Sequence, residues 1–277
     1  MDTCVVNRFS EKCGVFRRLF RPLAAALLVA LGATPAGAQE NADALAKQLS
    51  NPVAALISVP FQYNIDFGIG PHGNGVNQTL NIQPVIPIRI SESWNVISRT
   101  IVPVRWATDV YPRDVFGLGD TVQSLFLSPV EPGPGGLIWG VGPVFYIPTG
   151  TDKFLGTGQF GLGPTAVGLV QKGPWTIGGL ANHIWSVDEN TEVNATFLQP
   201  FLAYALGRGQ TITVNTETTY NWNTEQATVP INAMYTKVFK IDEQPLSFQV
   251  GGRAYVNRPE YGPDWGLRAT LTMLFPK

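Results

Sequence analysis

The chain has 277 residues, 19 Lys/Arg against 20 Asp/Glu, and only 14% charged residues, where a soluble domain carries about 25%. The balance argues against a nucleic-acid partner, and 29 glycines, 22 prolines and 11% aromatics describe a much-turned chain whose surface something other than water covers. Both cysteines, Cys4 and Cys13, precede the first apolar run, which excludes disulfides and thiolate chemistry from the remainder.

Arg17, Arg18 and Arg21 lead into the apolar run Leu23 to Leu31, and Ala36-Gly37-Ala38 offers the small-x-small pattern that signal peptidase accepts. Residues 1–38 therefore read as a secretory signal peptide cleaved near Ala38. The run is well short of the roughly 20 residues a transmembrane helix needs. Removal leaves 14 basic and 18 acidic residues, net −4. One short helix follows, Asn41 to Leu49, with Ala42, Leu45, Ala46 and Leu49 on one face and Pro52 past its end. The segment 39–56 is expected either in the periplasm or as a plug.

From Ile57 helical periodicity stops. About twelve segments of roughly ten residues alternate in polarity between clusters of Gly, Pro, Asn and Asp, which predicts an antiparallel transmembrane β-barrel over 57–277. The expected strands are 58–69, 78–90, 94–107, 119–130, 136–148, 160–171, 174–187, 195–206, 210–222, 227–240, 245–257 and 264–275. Tight connections (Ser91-Glu92-Ser93, Lys172-Gly173, Gly207-Arg208-Gly209, Ile241 to Gln244) alternate with longer ones near 70–77, 108–118, 149–159, 188–194, 223–226 and 258–263. Short periplasmic turns and longer outer loops produce that alternation.

In 210–222, Ile212, Val214, Tyr220 and Trp222 oppose Thr211, Thr213, Asn215, Glu217, Thr219 and Asn221. A uniformly polar face suits a wet lumen. A turn at Ser91-Glu92-Ser93 sets Ile90 against Trp94, Ile88 against Val96, Ile82 against Val102 and Leu80 against Val104, leaving Asn81, Gln83, Arg89, Arg99 and Arg105 on the other side. Trp94 and Trp106 then stand roughly 30 Å apart along the membrane normal, close to the separation of two aromatic girdles. A secreted soluble sandwich also has short strands, but its outer face should carry many Lys and Glu rather than the Thr, Asn, Gln and Ser found here.

The face assignment turns Arg89, Arg99, Arg105, Arg253 and Arg268 inward, with Asp66 and Glu217 as the inward acids. Pairing the last strand with the first gathers the five arginines on one arc. Two readings stand: an anion-attracting wall along a solute path, or a hydrogen-bonded ladder that fills a narrow barrel. About twelve strands lies between the filled and the open barrel sizes, so both remain.

Catalytic chemistry has little footing. His72 sits in the glycine-rich connection Pro71-His72-Gly73, and His183 in a strand, where a hydrolase would need it as base beside Ser186. No Gly-x-Ser-x-Gly elbow is present. Asp109, Asp114, Asp120 and Asp152 read as solvated loop carboxylates bridged to lipopolysaccharide through divalent ions, their spacing unlike an EF-hand. No resident metal or cofactor is called for.

Leu45-Ala46-Lys47-Gln48-Leu49-Ser50-Asn51-Pro52-Val53-Ala54 leading to Ser58-Val59-Pro60, then Gly117-Leu118-Gly119-Asp120, Ser124-Leu125-Phe126-Leu127-Ser128-Pro129, Gly142-Pro143, Pro148-Thr149-Gly150-Thr151-Asp152, Gly161-Leu162-Gly163-Pro164-Thr165-Ala166, Ala181-Asn182-His183-Ile184-Trp185-Ser186 and Leu198-Gln199-Pro200-Phe201 carry a resemblance. The chain resembles bacterial outer-membrane transporters associated with the phenol meta-degradation pathway, often mislabelled neuromedin U. That resemblance implies a barrel placed by the barrel assembly machinery among outer-membrane lipid and lipopolysaccharide. Through aromatic catabolism it also implies passage of small organic solutes, and with the inward arginines the expected solutes include aromatic and anionic ones. It supplies no catalytic residues. The alternatives are a structural or adhesion barrel without transport and, behind it, a barrel hydrolase.

Overall fold

The computed structural model describes residues 36–187 and 193–276, so most of the expected signal peptide and of the 188–194 connection lies outside the described residues. By contacts the chain divides into a unit of Met1–Gln39 and a unit of Glu40–Lys277.

The second unit is a closed antiparallel barrel of 12 strands with one helix before it. The helix α1 spans Ala36–Leu49. The strands are β1 (Ile57–Ile69), β2 (Gly75–Ile82 and Val85–Arg89), β3 (Trp94–Thr108), β4 (Val115–Leu118 and Thr121–Pro129), β5 (Leu137–Ile147) and β6 (Gly161–Lys172). They continue as β7 (Trp175–Ser186), β8 (Asn194–Gly207), β9 (Gln210–Thr216 and Thr218–Asn221), β10 (Gln226–Ile241), β11 (Gln244–Asn257) and β12 (Trp265–Phe275). Each strand pairs with its sequence neighbours, and β12 pairs with β1 from Ile57↔Phe275 to Phe67↔Trp265, which closes the ring and removes both free edges.

The first long hairpin has the expected register, with Ile88↔Val96, Ile82↔Val102 and Leu80↔Val104 paired and Ile90 N bonded to Trp94 O at 3.0 Å. Period-two alternation then puts Ile88, Leu127, Val141, Leu162, Ile212 and Leu271 among the exposed apolar residues of the outer surface. Aromatic pairs rim that belt. Trp94–Trp139 and Trp175–Tyr204 lie toward the tight-turn end, and Trp106–Phe116, Phe67–Trp265 and Tyr220–Trp222 toward the long-loop end. Two aromatic girdles about an apolar band define a transmembrane barrel.

The tight turns rely on left-handed backbone, clearest at Gly207, Arg208 and Gly209 with φ of 83, 56 and 69°. Gly209 N donates to the Asp43 carboxylate of α1. Residues 42–56 lie inside the ring at this end. Leu45, Ala46 and Leu56 pack on Val238 and Leu274, and Val53 packs on Ile97, Phe126, Val167, Leu169 and Leu180. After Leu49 the Asn51 side chain accepts from Val53 N at 3.0 Å, an Asx turn that redirects the chain toward β1.

The inner face departs from the uniformly polar wall expected. On β3 to β7 it is mixed: Ile97, Phe126 and Val144, at 0% exposure, stand among buried Asn95, Ser124, Ser128, Thr165 and Thr176. The more continuous Thr, Asn, Gln and Ser lining lies on β1, β2 and β9 to β12, with Ser58, Gln62, Asn81, Gln83, Thr213 and Gln249 among it.

Candidate solute path

Above the enclosed segment a cavity of about 410 Å³ lies within the wall, with Leu49, Pro52 and Ala54 at its floor. Arg99, Arg268 and Glu217 contribute to its polar side, and Ile101, Phe197 and Phe201 to its apolar side. Both phenylalanines also pack against the apolar cluster around Val53. Polarity is thus segregated around one chamber.

The inward charged residues divide into three groups. Arg268, with a side chain 3% exposed, donates to both Glu217 oxygens at 2.7 Å and to Asn64 Oδ1 at 2.7 Å. Arg253 lies 3.4 Å from Asp66 and 3.7 Å from Glu217, and bonds Asn232 Oδ1 at 3.0 Å. Tyr255 donates its hydroxyl to Asp66 at 3.0 Å. Glu217 reaches across from β9, at the break between its two segments, and ties β11 and β12 to the opposite polar wall. Arg268, Glu217, Arg253 and Asp66 form the hydrogen-bonded ladder, one of the two expected alternatives.

Arg99 stands apart. Its Nη2 donates to the neutral Gln83 Oε1 at 3.2 Å, and among the described residues it joins no ion pair. A guanidinium has five N–H donors, so several remain for a solute.

Arg105 and Arg89 lie elsewhere. Arg105 runs beside Gly119, under the outer loop, with its Cδ in tight contact with the position a Gly119 Cβ would take. Arg89 leaves the expected arc altogether: it is exposed and caps its own turn, Nε to Ser91 O at 3.1 Å and Nη2 to Glu92 O at 2.8 Å. It is the last residue of its strand, and nearby free carbonyls draw a long side chain that backbone parity alone directs inward.

Asp120 is a correction. It is 6% exposed rather than solvated, and its oxygens accept from Gly150 N at 2.9 Å, Thr157 N at 2.6 Å and Thr157 Oγ1 at 3.1 Å. Thr151 Oγ1 accepts from Leu118 N at 3.0 Å, and Thr149 Oγ1 donates to Gly119 O at 2.8 Å. Two motifs of the resemblance, Gly117-Leu118-Gly119-Asp120 and Pro148-Thr149-Gly150-Thr151-Asp152, therefore meet. They hold the 148–160 loop against the inner face of β4, where a Cβ at Gly117 would overlap Thr151. Asp152 at the loop's rim is held below the usual carboxylate range, first by the Phe154 N–H and then by Arg113.

His183 is on the outer face, Nδ1 2.7 Å from Thr196 Oγ1 and its ring centred 4.1 Å from that of Trp185. Among the described residues no group of three His, Cys, Asp or Glu could hold a metal. Neither the anchoring of the 148–160 loop by Asp120 nor the place of Phe197 and Phe201 on the path was legible. Asp120's partners, two backbone N–H groups and the Thr157 hydroxyl, lie 30 and 37 residues on, and β8 is apolar on both faces (Leu198 and Leu202 outward, Phe197 and Phe201 inward), so alternation assigns no side.

Fold and chamber together define the class: a transmembrane β-barrel with an enclosed, partly charged lumen. No family model matches the chain, and no curated protein does. Among solved structures, the outer membrane channel from Pseudomonas putida F1 superposes with a TM-score of 0.64 at 14% identity, covering 80% of this chain and 96% of that one. The KdgM porin (TM-score 0.45, 13% identity, 79% and 99% covered) and outer membrane phospholipase A from Escherichia coli (0.46, 13%, 78% and 90%) align more loosely. The first of these likenesses shows the shared fold.

Proposed function

We propose that the chain is a channel of the bacterial outer membrane that passes small organic solutes and favours anions, aromatic ones included. The observation that carries this reading is the chamber of about 410 Å³ that sets the unpaired Arg99 guanidinium in the same space as Phe197 and Phe201. A carboxylate binds a guanidinium through two parallel hydrogen bonds, and an apolar body has the phenyl rings to lie against. The apolar belt, the girdles and the shared fold support the outer-membrane placement, and the resemblance to a family tied to aromatic catabolism supports the solute class.

Single-barrel recordings in planar bilayers test it. Discrete conductance steps are expected, with a reversal potential in a salt gradient that reports anion preference. Arg99→Gln should move that potential toward cations. The Arg268–Glu217–Arg253–Asp66 ladder and the enclosed segment favour a second reading, a closed structural barrel. Folded protein with no steps, and no solute-driven swelling of proteoliposomes, would establish that reading instead.

A further inference from the structure

On β12 the lipid face is what a spanning strand is expected to show: Trp265, Leu267, Ala269, Leu271, Met273 and Phe275 follow one another outward. β3 and β4 depart from it. Period-two alternation turns Ile97, Arg99 and Ile101 inward, where Ile97 is at 0% exposure and Arg99 and Ile101 line the chamber, so Ser98 and Thr100 face out with Val96 and Val102. Thr100 is the midpoint between Trp94 and Trp106, which belong to opposite girdles, and Gln123 is its partner on β4. Three polar side chains therefore stand on the outer face near the centre of the membrane.

They bond to one another. The Thr100 hydroxyl donates to Gln123 Oε1 at 2.5 Å, and Gln123 Nε2 donates to Ser98 Oγ at 3.0 Å and to Ser124 O at 3.1 Å. Both amide protons are thus used. The Ser98 hydroxyl proton has no acceptor among the described residues, and lone pairs on Gln123 Oε1 and Thr100 Oγ1 are unspent. Hydrocarbon supplies neither donor nor acceptor, so an amide with its hydroxyl partners is costly at this depth, and polar groups held there mark a surface in use.

An apolar field surrounds the cluster. The register sets Ile86 beside Ser98 and lines up Ile88, Val96, Leu127 and Val141 in one row across β2 to β5. Ile86, Ile88, Leu127 and Val141 are 44, 50, 39 and 45% exposed. Two copies inserted in the same sense in one membrane are related by a two-fold axis along the membrane normal, so residues of like height meet. The amide and hydroxyls of one copy then face those of the other. Because the cluster holds an unspent donor beside unspent acceptors, it complements itself, and the aliphatic row meets its own image next to it. Polar side chains act as glue between membrane segments in this way.

We propose that the outer face of β3 and β4 around Ser98, Thr100 and Gln123 is the interface of a homodimer within the membrane. The proposal does not depend on whether the lumen conducts. Sedimentation equilibrium of the refolded full chain in density-matched pentaethylene glycol monooctyl ether micelles should show a reversible monomer–dimer equilibrium. Gln123→Leu should weaken association at least tenfold, and Ser98→Ala combined with Thr100→Val should do the same. Replacing both Thr216 and Thr218 by Val, a hydroxyl pair on the outer face of β9, should leave it unchanged.

If Gln123→Leu does not fold, the interface is located with the triad intact. With Cys4 and Cys13 replaced by Ser, Leu127→Cys in phosphatidylcholine vesicles should form a disulfide-linked dimer on oxidation by copper phenanthroline, and Leu271→Cys, on the outer face of β12, should not. A barrel that is monomeric in both micelles and vesicles, a dimer that folded Gln123→Leu leaves intact, or equal cross-linking through Leu271→Cys overturns the interface.

Discussion

Arg268 shows what a single buried charge does in this barrel. Its side chain is 3% exposed and its guanidinium serves both oxygens of Glu217 and the Asn64 side chain. Removing one member of a buried ion pair leaves the other uncompensated, at about 3–5 kcal/mol. Arg268→Gln should therefore lower the unfolding free energy of the refolded barrel, read from urea titration, by an amount in that range. Arg89→Gln, which loses only bonds to its own exposed turn, should leave both stability and ion preference unchanged, in contrast to Arg99→Gln. Backbone parity read from the sequence places all five arginines on the right strands. It cannot say where the long side chain beyond the Cβ comes to rest, and that depends on whether a carboxylate, a neutral amide or a free turn carbonyl is nearest.

At the scale of elements, strand positions were legible because alternation and turn chemistry agree in each hairpin. The pairing Ile82↔Val102 places both side chains on the lipid face. Val102→Arg should then reduce the heat-modifiable, membrane-inserted fraction, since an arginine facing lipid near mid-membrane costs about 2–4 kcal/mol. The apolar cluster of Ile97, Phe126, Val167, Leu169 and Leu180 on the inner side was not legible: where both faces of a strand stretch are apolar, alternation carries no information, and the partner it packs on, Val53, belongs to a segment from before the barrel. The outer loop is a further case. Asp120→Ala removes three bonds to the 148–160 loop, each loss leaving a polar group unsatisfied at about 1–3 kcal/mol, and trypsin should then cut at the exposed Lys153 in folded protein that otherwise resists it. The rim tie through Asp152 behaves differently with pH. Its folded-state value is depressed, so its contribution is present above the ordinary 3.8 and is lost as pH falls through the lower folded value. Pepsin cleavage beside Phe154, normalised to a free peptide, should rise only in that acid window.

For the whole molecule, the enclosed segment couples the beginning of the unit to its end. Leu56 packs against Leu274, and two residues on, Ser58 pairs with Leu274 in the joint between β1 and β12. That joint is the most distant pairing in the chain, and bringing such remote partners together is the slow part of assembling a sheet. A stretch that precedes the first strand and packs on Leu274 offers the last strand a surface to close against. It is therefore a mandrel as much as a stopper: the last strand finds the first against a surface already gripping Leu274. Shortening the stretch should slow the appearance of the compact, fast-migrating species during refolding in micelles, even where the finished barrel is equally resistant to denaturant.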